Sequence, residues 1–195
     1  MRRSIITLLL LLFFALSTSA QNKFSITYSV GFPTGETTDY FESTSWRGVN
    51  LDYHYFVQEN LAIGFSTGWQ VFNDNRGYVT ETSGTETLSG FRYNYLNSFP
   101  LLFTGSYFFS PDETLSPYAS LGVGLVYNEL SEDTGLLRAE STGWPFSVRP
   151  EIGLDYEVGY NVGIRASFRY NYVASGDELP SLPYFAFNLG LVWSN

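Results

Sequence analysis

Nine ionisable side chains fall on one parity of segments that otherwise carry small or polar residues at that parity. They are Asp52, His54, Arg92, Arg149, Glu151, Asp155, Glu157, Arg165 and Arg169. Carboxylates interleaved with guanidinium groups suit two kinds of chemistry. In a confined space they form bidentate pairs that hold a register, or they line a charged constriction that gates a narrow solute path. A hairpin closing on a three-residue turn near 159–161 pairs residues whose numbers sum to 320, so Asp155 faces Arg165 and Glu151 faces Arg169. Both carboxylates meet both guanidinium groups in that single register. The preferred reading is a salt-bridged filling of an interior, with gating as the functional alternative.

Catalytic readings are thin. His54 is the only histidine, and Asp52 lies two residues away on the same face. No serine in a nucleophile context accompanies this pair, so a polar histidine lining an interior is preferred to half of a dyad. One histidine, no cysteine and scattered carboxylates do not make a metal-ligand set. No cofactor motif is present, and the chain reads as non-enzymatic. The net charge of −9 argues against nucleic acid as a partner.

The elements that carry these residues show an alternation of period two. In Phe24, Ile26, Tyr28, Val30 and Phe32 every second residue is large and apolar, with Ser25, Thr27, Ser29 and Gly31 between them. Eight segments repeat the pattern, at about 22–34, 46–57, 61–72, 90–109, 116–128, 144–157, 161–173 and 184–193. Each has at least the roughly 9–11 residues that a tilted strand needs to cross a bilayer. Residues 58–60, 110–115 and 159–161 read as tight turns, and 35–45, 73–89, 128–143 and 174–183 as long polar loops. Short turns on one side and long loops on the other are the asymmetry of an outer-membrane barrel. Pro100 and Pro150 interrupt ladder hydrogen bonding, and Asn97 falls on the apolar face, so a bulge or a section above the membrane is expected there.

A soluble barrel would turn the apolar face inward, but three dozen large residues exceed the lumen of eight strands. The other face is rich in glycine, including Gly31, Gly48, Gly64, Gly68, Gly122, Gly124, Gly153, Gly163 and Gly190, which suits a narrow interior. The fold class expected is therefore all-β, an eight-stranded antiparallel up-and-down transmembrane β-barrel. Tyr40, Trp46, Trp69, Tyr107, Trp144 and Trp193 sit at strand ends as interface anchors.

The first twenty residues read as a signal peptide. Arg2 and Arg3 precede an apolar run from Ile5 to Leu16, and Ser17-Thr18-Ser19-Ala20 supplies the small residues of a cleavage site. Residues 21–195 then form one barrel domain with a net charge of −11, since two arginines leave with the leader. With no cysteine, a lipoprotein anchor and a disulfide framework are both excluded. The four long loops hold 12 of the 19 acidic residues against Arg76 and Arg138. Asp39, Glu42, Glu132, Asp133, Asp177 and Glu178 read as a solvated surface, or as a site for divalent cations bridging lipopolysaccharide or for an extracellular partner; none has EF-hand spacing.

Several phrases resemble a known family. Val30-Gly31-Phe32-Pro33-Thr34-Gly35, the hairpin from Tyr55 to Gly64, Phe99-Pro100-Leu101-Leu102 and the run from Pro117 to Gly124 are similar to the small outer-membrane β-barrel proteins. These are the OmpA/OmpX-like eight-stranded group, in the version common in Bacteroidetes. The resemblance implies a cell outer-membrane location in a Gram-negative envelope, contact with outer-membrane lipid and lipopolysaccharide, and insertion by an assembly machinery that reads the last strand. That strand usually ends in an aromatic residue, whereas here Ser194-Asn195 follow Trp193. The role expected is structural or interaction-based, including an envelope protein partner. A narrow porin-like channel ranks second and a lipid-modifying enzyme a distant third.

Overall fold

The computed structural model describes residues 22–83, 86–111, 113–134, 137–176 and 179–195. The expected signal peptide lies outside the described residues, as do Asp112, Asp177 and Glu178. Among the described residues nine strands occur in chain order: β1 (Asn22–Pro33), β2 (Arg47–Phe56), β3 (Leu61–Ser83), β4 (Glu86–Phe108), β5 (Leu115–Thr134), β6 (Leu137–Gly143), β7 (Phe146–Gly159), β8 (Val162–Val173) and β9 (Tyr184–Ser194). All pairings are antiparallel. β1 pairs with β9 from Lys23↔Ser194 to Pro33↔Tyr184, which closes the wall and leaves no edge in lipid.

The wall has eight staves, because β6 and β7 are two parts of one. The break between them is Trp144-Pro145, where proline has no N–H to give to a ladder. β5 bridges the break, pairing with β7 up to Leu125↔Phe146 and with β6 from Asn128↔Gly143. The Val126 N–H donates to the Pro145 carbonyl at 3.0 Å, so the seam stays bonded.

Two expected loops are strands. Most of 73–89 continues β3 and β4 as a hairpin, paired out to Ser83↔Glu86, and much of 128–143 forms the β5–β6 hairpin out to Thr134↔Leu137. Once a hairpin leaves the membrane both its faces meet water, so the apolar face disappears while residues such as Val79, Thr80 and Thr82 still suit a pleated strand. Polarity alone therefore imitates a loop. The prolines interrupt one ladder each, as expected: the β3–β4 pairing skips from Thr67↔Leu101 to Gln70↔Ser98 beside Pro100, and the β7–β8 pairing skips from Val148↔Tyr172 to Glu151↔Arg169 beside Pro150. On their other sides Pro100 pairs with Val126 and Pro150 with Leu121, and neither causes a register shift. The irregularities lie at Asn75/Tyr78 and at Glu157/Gly159. Asn97, paired with Val71, is accommodated on the outer wall without a bulge, where its Oδ1 accepts the Trp69 indole N–H at 3.0 Å.

The alternation sorts residues as expected. Phe24, Ile26, Leu51, Tyr53, Ile63, Phe65, Phe103, Leu121, Ile152, Phe168 and Leu191 all face outward and are exposed. A water-soluble monomer rarely shows an apolar band of this extent, and in a bilayer it is the lipid contact. Rings stack along it, with Trp69 on Phe99 at 5.8 Å and 4° and Phe24 on Trp193 at 6.0 Å.

Candidate functional site

The β7–β8 hairpin turns through Asn161, whose φ of 61° is the left-handed conformation that asparagine tolerates. Its register is the one that sums to 320: Asp155↔Arg165 and Glu151↔Arg169. Arg165 is bidentate on Asp155, with Nε donating to Oδ1 at 2.7 Å and Nη2 to Oδ2 at 2.8 Å. Arg169 Nε stands 2.8 Å from Glu151 Oε2. Its Nη2 crosses the lumen to donate to Asp52 Oδ2 on β2 at 2.6 Å.

Asp52 is the hub. Arg149 Nη2 lies 3.6 Å from its Oδ1, and the hydroxyls of Ser25 and Ser66 donate to the same carboxylate. Arg149 also donates to Ser66. Arg149, Arg165 and Arg169 are 1%, 0% and 1% exposed, although a guanidinium is among the groups least tolerant of burial. Such burial is sustainable only where each charge has an opposite charge and hydrogen bonds around it.

Toward the short-turn end, aromatic rings close under the ions. Phe56, Ala62, Phe108 and Tyr118 form a buried cluster. Arg165 lies over the Tyr118 ring at 4.7 Å and Lys23 over the Phe108 ring at 4.6 Å, so two cations rest on π faces. Tyr118 donates its hydroxyl to Glu151 at 2.6 Å, and Lys23 pairs with Asp155 at 3.2 Å. His54 Nδ1 is 3.5 Å from Arg165 Nη1, and its ring meets Phe108 edge-on at 5.7 Å. A cleft of about 40 Å³ opens here, lined among others by Lys23, Glu113, Ser116, Asp155 and Glu157.

Toward the loop end the lumen turns first amide-rich and then apolar. Asn50 donates to Asn188 at 3.0 Å and Asn188 to Ser167 at 3.2 Å. Above them Phe41, Phe72, Leu96, Val126, Leu130, Val173, Leu179, Leu182, Tyr184 and Ala186 pack into one buried cluster. Four of these come from segments expected to be solvated loops, Leu130 among them within 128–143. Phe41 follows a short 3-10 helix, Gly35–Asp39, and Leu179 and Leu182 lie within 174–183. Thr37 Oγ1 donates to the Pro183 carbonyl at 2.7 Å and the Ser181 N–H to Glu36 at 3.2 Å, which clasps the two loops together.

Of the expected site residues, Asp52, His54, Arg149, Glu151, Asp155, Arg165 and Arg169 come together in this interior. Arg92 stands apart. It is on the upper part of β4, a quarter exposed, and pairs with Glu132 near the rim. Glu157 is exposed at the end of β7, where the ladder shifts before the turn. Sequence reasoning missed Lys23, Ser25, Ser66 and Tyr118. Parity alone places all four on the inner face; what it does not reveal is which partner lies across the lumen.

A family model described as the outer membrane protein beta-barrel domain matches residues 6–194. Among solved structures, the chain is similar to Neisserial surface protein A, at 15% identity and a TM-score of 0.54, over 90% of this chain and 97% of that one. It is similar to Ail, the attachment invasion locus protein of Yersinia pestis, at 16% identity and a TM-score of 0.52 over 90% and 97%. OprG of Pseudomonas aeruginosa aligns at 12% identity and a TM-score of 0.57 over 90% and 95%. These likenesses concern the fold. No curated protein matches the sequence.

Proposed function

Because the chain belongs to the outer membrane protein beta-barrel domain family, whose members reside in the outer membrane, we propose that it is a sealed, non-enzymatic barrel with a structural or interaction role. The observation that carries this reading is the state of the lumen. Three arginines at 0–1% exposure are held by Asp52, Glu151 and Asp155, with packed rings below and an apolar cap above. A conducting path needs water beside its charges, and these charges meet protein instead. The ion network acts as a plug that also fixes strand register, since a slip of one residue would carry every charge to the lipid face.

The interaction surface in this reading is the loop end. The β3–β4 and β5–β6 hairpins project past the neighbouring strands, because β2 stops pairing β3 at Arg47↔Val71 and β8 ends at Val173. With 12 acidic residues against two arginines across the four outer segments, the partner favoured is basic, or is lipopolysaccharide phosphate bridged by divalent cations. A second structure of Ail is of a complex with the heparin analogue sucrose octasulfate; the acidity here disfavours a polyanion of that kind. Outer-membrane lipid surrounds the wall, and the outer-membrane assembly machinery inserts it.

Planar-bilayer recording and cross-linking in intact cells test the reading together. The expected result is no steady conductance and a reproducible protein or lipopolysaccharide adduct on the projecting hairpins. Steady conductance that changes on Arg165→Ala and Arg169→Ala would make the barrel a channel. A shift in lipid A mass on deleting the gene would make it an enzyme.

A further inference from the structure

The short-turn end of the barrel is acidic and open. Glu59, Glu113 and Glu157 are exposed there, and among the described residues no exposed lysine or arginine stands with them. Lys23, the cation that lines the mouth, is 7% exposed. It is already engaged by Asp155 at 3.2 Å and by the Phe108 ring at 4.6 Å. Glu113 and Glu157 form no ion pair among the described residues. Arg47, Arg92 and Arg138 all lie toward the loop end, on β2, β4 and β6.

Between these carboxylates lies the cleft of about 40 Å³, room for about three water-sized groups. Its lining includes Glu113 and Thr114 from the β4–β5 turn, Ser116 on β5, Asp155 and Glu157 on β7, and Lys23 on β1. One ammonium thus meets three carboxylates. The Glu157 N–H donates to the Thr114 carbonyl at 2.8 Å, which fixes the two sides of the mouth to each other. Ser116 supplies a second observation. It is 2% exposed, lines this cleft beside its ladder partner Asp155, and its Oγ has no hydrogen-bond partner among the described residues. A buried hydroxyl without a partner is uncommon, and its lone pairs suit a donor that enters the cleft.

We propose that the short-turn mouth docks a periplasmic protein through a lysine whose ammonium enters this cleft, between Glu113 and Glu157 and against Ser116 Oγ. Water leaves the surplus negative charge in place, whereas an ammonium brings donors and positive charge together. The volume suits a compact ammonium better than the broader guanidinium fork. Tyr160, 92% exposed in the turn after Glu157, offers a ring to the same partner surface. The proposal rests on the outer-membrane setting, in which short turns face the periplasm. It does not depend on what the outer hairpins bind.

The test uses the full-length barrel in lipid nanodiscs, a tetralysine peptide as probe, and backbone amide chemical shifts. The outer hairpins are acidic too, so binding is read residue by residue. Saturable shifts are expected at Thr114, Ser116, Glu157 and Gly163, and none there with tetralysine acetylated at every Nε. Glu113→Gln combined with Glu157→Gln should weaken binding at the mouth about fivefold. Both side chains are exposed, so the heat-modifiable gel shift should persist. Ser116→Ala should weaken binding as well, which separates a seated ammonium from diffuse attraction. In intact envelopes, zero-length carbodiimide coupling should join Glu113 or Glu157 to a lysine of a second protein. The proposal is overturned by shifts confined to the outer hairpins, by equal shifts with the acetylated peptide, or by variants that bind as tightly as the parent. It is equally overturned if the carbodiimide gives no link to a second protein, or links these glutamates only to lipid amines or to residues preceding Asn22.

Discussion

The ring of Tyr118 occupies the space beside Gly153 that any other residue would need. A Cβ on Gly153 would come within 2.4 Å of Tyr118 Cζ. The two residues are directly paired across β5 and β7. The same ring stacks on Phe108 at 5.1 Å, carries Arg165 at 4.7 Å and donates its hydroxyl to Glu151. One missing side chain thus sets the aromatic floor and the ion layer together.

Gly153→Ala should therefore push the Tyr118 ring off its seat and loosen the Glu151 bond. Overpacking of this kind costs about 1–3 kcal/mol. Urea unfolding in vesicles should show a lowered midpoint with the gel shift retained. An unchanged midpoint would mean that the ring moves aside at no cost.

Asp155→Asn removes the only carboxylate that Arg165 engages in bidentate fashion and the partner of Lys23. Leaving buried cations uncompensated costs about 3–5 kcal/mol. Adding Arg165→Met to Asp155→Asn should recover a large part of that loss, since the stranded charge goes with it. Additive effects in this double-mutant cycle would contradict the coupling.

Leu182→Ala opens the apolar cap, at a cost of about 2–5 kcal/mol for a fully buried leucine. It should not create conductance by itself, because the arginine layer lies beneath. Planar-bilayer currents should appear only when Leu182→Ala is combined with Arg169→Gly. A current from the single cap variant would move the barrier to the cap.

Thr37→Val deletes the hydroxyl that donates to the Pro183 carbonyl at 2.7 Å. Loss of one such bond costs about 1 kcal/mol, which is about fivefold in a local opening equilibrium. Hydrogen exchange at the Phe41 amide, bonded to the Thr37 carbonyl at 2.9 Å, should speed up by that factor. The strand amides of β1 and β9 should keep their protection.

The acidic faces of the hairpins were visible in composition, but their strand character was not. Period-two reading relies on a contrast between two faces, and along 138–143 every residue is exposed or half-buried, so the contrast vanishes while the backbone ladder continues. The leucines of 174–183 show the reverse error. Leu179 and Leu182 sit in a polar stretch with no periodicity, and only the return of that loop over the barrel mouth buries them.

Within one hairpin, sequence was sufficient. The expected sum of 320 holds, so Asp155 meets Arg165 and Glu151 meets Arg169, although the connection is Tyr160-Asn161 with a register shift at Glu157/Gly159 and not a three-residue turn. The alternation determined the barrel, its lipid face and the inward set of ionic residues. Tertiary closure decided the rest. Arg169 reaches Asp52 across 117 positions and Arg149 reaches Ser66 across 83, contacts that exist only when the wall curves back on itself. Curvature brings distant strands to one axis, and linear spacing carries no record of which side chains meet there. The hub at Asp52, the aromatic floor and the apolar cap are all consequences of that closure.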